Sequence, residues 1–169
     1  MKFSAVAATA ALAALLPASL LADALEDAHA AYLAAWDEAP LAVRKSVFVT
    51  GPAAGYGLQE ERGSNVFGVG EPIHIYLEPV GFGWVEEGGV NRFGMEIGLR
   101  ILNPEAQELF AQDRFLNLAT QSAAKPTEFF GNVTLNLSGL QSGSYVLEFL
   151  LDDIASDETA TVEMPIEIR

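Results

Sequence analysis

From residue 41 onward, apolar side chains recur at every second position, and this period confines the chain to strands that bury one face. Phe93, Met95, Ile97, Leu99 and Ile101 alternate with Gly94, Glu96, Gly98 and Arg100. A strand turns successive side chains to opposite faces, so such a run presents one apolar face to a core. Val133, Leu135 and Leu137 repeat the pattern, as do Val162, Met164, Ile166 and Ile168, and Ile73, Ile75 and Leu77 stand opposite His74, Tyr76 and Glu78. Two further strands are expected at 43–50 and 108–118. The second also reads as a helix through Leu109, Phe110, Phe115 and Leu116, but the Asn103-Pro104 turn before it favours a strand. Residues 120–127 read as a loop. Pro165 lacks a backbone donor, which puts the last strand at a sheet edge or removes one rung there.

Before residue 41 the pattern is different. Residues 1–24 have an early Lys2, an uncharged Ala/Leu run and small residues at Ala22 and Ala24, the order of a secretory signal peptide cut after Ala24 or Ala22. Thr9, Pro17 and Ser19 interrupt the run, which argues against a membrane anchor. Residues 25–40 place Leu25, Ala28, Tyr32, Leu33 and Trp36 at helical spacing with Pro40 as the stop, so a short N-terminal helix with Tyr32 and Trp36 as anchors is expected. Residues 41–169 then make one domain, with no internal repeat and no second module.

The chain has no cysteine, so thiol chemistry and disulfide stapling are excluded and packing alone must stabilise the fold. Its net charge of −14 is unchanged when Lys2 and Asp23 leave with the signal peptide. Such a field repels nucleic acid and anionic lipid, so neither is expected as a partner. The Ala-rich, Arg-poor leader points to a bacterial periplasmic or secreted protein, with no membrane span after cleavage.

The segment GLQSGSYVLEFLLDD resembles the final strand pair of fibronectin-type and other immunoglobulin-like sandwiches, where a Leu-x-x-Gly-x-Tyr motif forms a tyrosine corner. Leu140, Gly143 and Tyr145 occupy those positions. The segment SNVFGVGEPIHIYLEPVGFGW is similar to exported bacterial proteins of unassigned function. The resemblance implies an immunoglobulin-like form of the all-β antiparallel β-sandwich that the strand spacing gives, preceded by the short N-terminal helix read above. It implies no activity, because sandwiches of this kind host unrelated tasks.

Chemistry is sparse. Only His29 and His74 could serve as imidazole bases, and no serine lies in a Gly-x-Ser-x-Gly elbow, so a serine hydrolase is not expected. His74 and Glu78 on one strand face stand about 13 Å apart, too far to share an ion. His29, three residues after Glu26, could hold a metal weakly; a copper-, zinc- or calcium-binding protein using His74 and His29 is the alternative reading. The acidic run Asp152–Glu158 lacks the spacing of a calcium loop and reads as a solvated turn. GPAAGYG and GFGWVEEGG lack a phosphate-binding lysine, so their glycines read as turn residues. No cofactor and no catalytic residue is expected.

Aromatic residues are the stronger lead. Tyr56, Phe67, Phe82 and Trp84 lie among glycines at 51–70 and 79–92, outside the alternating runs, with Tyr76 on the adjacent strand. They either close over the sandwich end as a lid or form a binding surface. Trp84, followed by Glu86 and Glu87, suits a sugar, a peptide or a cationic group. The sequence therefore leads to a non-catalytic binding or structural module that meets a protein or cell-envelope partner through these loops or a sheet edge.

Overall fold

A computed structural model describes residues 18–169; the expected signal segment before residue 18 lies outside the described residues. Helix α1 spans Ala18–Asp37, so the helix runs through the expected cleavage positions Ala22 and Ala24 and stops before Pro40. Its alanines and leucines are strong helix formers, and the Ala39 N–H closes the end on the Trp36 carbonyl at 3.1 Å. Leu25 and Tyr32 stay 72% and 49% exposed. No helix among the described residues is long and apolar enough to cross a membrane.

Residues 36–169 form one compact unit. Its strands are β1 (Ala42–Val49), β2 (Val66–Phe67), β3 (Ile73–Val80), β4 (Val85–Glu87), β5 (Val90–Phe93), β6 (Met95–Leu102), β7 (Glu108–Asn117), β8 (Thr120–Ser122), β9 (Gly131–Leu135), β10 (Gly143–Asp153) and β11 (Thr159–Ile168). A narrow sheet has the order β1-β3-β9, a wide one the order β2-β11-β10-β6-β7, and a small one the order β4-β5-β8. All pairings are antiparallel except β2 with β11.

The expected alternation becomes the interlayer of a β-sandwich. Ile73, Ile75, Leu77, Val133 and Leu135 of the narrow sheet pack with Ile97, Leu99, Leu147, Phe149 and Leu151 of the wide one, all at most 1% exposed. Each such side chain contributes roughly 1.5–3 kcal/mol by leaving water. Residues 108–117 are a strand, as the Asn-Pro turn implied, and the Asn103 carboxamide organises that turn by accepting from the Glu105 and Gln107 N–H groups. Along most of its outer side no strand pairs with β11, since β2 reaches only Glu167 and Ile168, so Pro165 does stand at an edge of the ladder.

Two expectations need correction. Residues 120–127 are not all loop, because Thr120–Ser122 pairs with β5. The run from Phe93 to Ile101 is not one strand: it breaks at Gly94, passing from the small sheet to the wide one. Gly94 has φ of 141°, and a Cβ there would lie 2.2 Å from the Leu118 carbonyl oxygen and 2.8 Å from the Ala119 Cα. Alternation survives the corner, which hides it from the sequence, while only glycine tolerates that φ and that approach. Gly94→Ala is expected to cost on the order of 2 kcal/mol or more, read as a lower urea midpoint at unchanged slope; an unaltered midpoint would refute the corner.

Candidate functional site

The five aromatic candidates fall in three separate places. Phe82 is fully buried and Trp84 half-buried, and both join Trp36, Phe93 and Phe129 in one cluster with neighbouring centroids 5.2–6.0 Å apart. The Trp36 indole N–H donates to the Phe82 carbonyl at 2.8 Å, and that of Trp84 to the Pro126 carbonyl at 3.1 Å. Lys125 lies over the Trp84 ring, its Nζ 5.1 Å from the centroid. These rings close one end of the interlayer, the lid arrangement, and Trp84 and Phe129 among them stay partly exposed.

Phe67 is elsewhere, 1% exposed, edge-on to Phe48 at 5.3 Å and beneath the Arg62 guanidinium at 4.5 Å. Tyr56 and Tyr76 meet on the outer face of β3 in a polar network. Tyr76 is fully buried; its hydroxyl donates to Glu78 Oε1 and accepts from the Gly57 N–H, both at 2.8 Å. Arg44 pairs with Glu78 Oε2 at 2.7 Å and also contacts the Tyr56 hydroxyl. Asn132 exchanges two hydrogen bonds of 2.9 Å with the Ala53 backbone. Together they clamp the segment 51–58 over the sheet, which explains why a strand expected to show polar residues to water has Tyr76 and Glu78 buried.

Burial raises the Tyr76 phenol above its ordinary value near 10, the adjacent Glu78 carboxylate adds to the rise, and the Gly57 N–H opposes it. A raised pKa contributes stability that is intact below pH 10 and is lost as pH climbs beyond it. Tyr76→Phe leaves Glu78 Oε1 and the Gly57 N–H without that hydroxyl, a cost of about 1–3 kcal/mol at neutral pH. It should also flatten the decline of stability above pH 10 in urea titrations; equal alkaline slopes for both proteins would contradict the assignment.

The two histidines lie in different compact units. His74 Nδ1 lies 3.0 Å from the Thr134 hydroxyl, His29 is exposed on α1, and no group of three metal-ligating side chains occurs among the described residues. In the acidic hairpin, Asp153 is 6% exposed and turned inward. Its Oδ2 accepts from the Gly83 N–H and the Ser156 hydroxyl, both at 2.7 Å, and its Oδ1 from the Ala155 N–H at 3.0 Å. That carboxylate ties two loops together.

One apolar cleft was not among the expected site residues. A groove of about 740 Å³ lies between β7 and the segment 134–141. Leu99 and Ile101 form its floor; Leu109 and Phe110, 52% and 43% exposed, form one wall with Phe115, and Leu137 faces them. No charged side chain lines it. Its size and lining match small-ligand and peptide sites. Leu109 and Phe110 are adjacent, so a strand must point them to opposite faces; instead β7 bulges where it meets Ile101 and Leu102, and both reach the groove. The other sequence signal is the absence of charge from Phe129 to Leu147 in so acidic a chain.

Charge elsewhere is closely matched. Each arginine, and Lys45, pairs with a carboxylate within 4 Å, leaving the acidic excess to face solvent. The chain matches no protein-family model and no curated protein.

Proposed function

We propose that the protein is a non-catalytic, exported binding module that engages its partner through the groove beside β7. The observation that carries the reading is that Leu109 and Phe110, adjacent and exposed, both line an uncharged 740 Å³ cleft, whereas the other exposed large apolar side chains of the described residues, Leu25, Tyr32, Leu58, Val69 and Val85, stand outside it. Exposed apolar surface of this kind, depleted of charge at its centre, is the composition of a contact surface. Export rests on the sequence of residues 1–24, and the acidic surface suits a soluble envelope component.

The immunoglobulin-like arrangement belongs to the same proposal. It is supported by the orders β1-β3-β9 and β11-β10-β6-β7, and by the Tyr145 hydroxyl, which donates to the Gln141 carbonyl at 2.9 Å just before β10. A module of this kind offers edges and loops rather than a reaction centre.

The neutral fluorophore Nile red tests the groove. The native protein should brighten it, and Phe110→Ser or Leu109→Ser should weaken the affinity about tenfold, the factor for roughly 1.4 kcal/mol of lost apolar contact. Because both side chains are half exposed, the thermal midpoint should hardly move. Unchanged affinity in both variants would remove the groove from the function.

A further inference from the structure

The two main sheets are unequal. The narrow sheet ends at β9, while the wide sheet continues past it to β7, and the groove is the strip of wide-sheet surface that no fourth narrow-sheet strand covers. We propose that the free edge of β9 accepts a strand: an extended peptide segment of a partner protein, uncharged or basic and apolar at alternate positions, pairs with β9 and lays its apolar side chains against Leu109, Phe110 and Leu137. The inference rests on reading the groove as the binding surface and adds what occupies it.

The condition of the sheet edges decides the location. An exposed strand edge is a template for pairing, and proteins blunt such edges with bulges, prolines, charges or shortness. β1 has a bulge between Val43 and Lys45 and carries Arg44 and Lys45. β11 presents Pro165, flanked by Glu163 and Glu167. β7 has irregular register at two places and carries Glu108, Asp113 and Arg114. β2, β4 and β8 are two, three and three residues long. β9 has none of these devices: GNVTL contains no charge, no proline and no bulge, and pairs regularly with β3 from Gly131 to Leu135.

The edge also extends beyond its own pairing. Asn136, Leu137 and Ser138 continue the alternation of β9, with Leu137 half-buried between the exposed Asn136 and Ser138, yet they pair with no strand. A strand added here would gain backbone partners on one side and the groove on the other, the geometry of β-augmentation. Charge selects the peptide. The acceptor stretch from Phe129 to Leu147 is neutral, the arginines are already paired, and the net charge is −14, so an acidic segment meets repulsion and no counter-charge.

The test is backbone amide hydrogen exchange on the full chain with ten-residue peptides alternating Val or Leu with Thr. One series ends in lysines, one in aspartates, and one has proline at alternate positions. The lysine series should slow exchange within 131–138 at least about tenfold, the aspartate series should bind about tenfold more weakly, and the proline series should give no protection. Phe110→Ser should lose the protection while keeping its thermal midpoint. If no peptide protects 131–138 while Nile red still binds, strand acceptance is wrong and the groove reading stands. If Nile red binding is also indifferent to Phe110→Ser, the groove reading itself fails. Protection that appears without peptide and rises with protein concentration, with a doubled mass in light scattering, would overturn the partner peptide in favour of a second copy.

Discussion

The fold depends on excluding water between two sheets of different width. Ile73, Ile75 and Leu77 on β3 supply one side of that dry layer, and Leu147, Phe149 and Leu151 on β10 the other. β3 is central in the narrow sheet and β10 in the wide one, so the best-buried strands face each other. With no cysteine to cross-link the layers, this contact must outweigh the chain entropy lost on folding. Sealing is then the problem at each margin: the Trp36–Phe82–Trp84–Phe93–Phe129 cluster closes one end, and the β7 side remains open.

Polar contacts were assembled around this layer rather than within it. The Tyr76–Glu78–Arg44 network lies on the outer face of β3 and holds a loop there, so the narrow sheet is covered on both faces near its centre. Buried polar groups of this sort are stabilising when every partner is present and costly when one is missing. Asp153 shows the same economy, with three donors on one carboxylate.

Period-two patterning made the strands legible because burial repeats with the pleat, and residues 73–77, 95–101, 133–135 and 162–168 lie where it implied. What the pattern could not reveal was connection. Gly94 preserves alternation while changing sheets, and β8 is too short and polar to signal itself. Four of the aromatic candidates were chosen for their glycine-rich neighbours, but Phe67 and Phe82 are interior because glycines also let a loop fold tightly over a core, and Tyr76 of β3 is interior because the segment 51–58 covers it. The groove was hidden for the opposite reason: Leu109 and Phe110 look like core residues, and their exposure depends on a bulge and on the narrowness of the facing sheet. Its charge-free wall was visible in the letters, but its position beside β7 was not.

The clasp from Asp153 to the Gly83 N–H joins segments 70 positions apart. A Cβ on Gly83 would come within 3.3 Å of that same carboxylate oxygen, so the two loops fit as a matched pair and neither can be lengthened or traded alone. The turn at Asn103–Gln107 is internally bonded and owes nothing to a distant loop. It is therefore a self-contained corner, one that sets where β7 begins without borrowing support from any other loop.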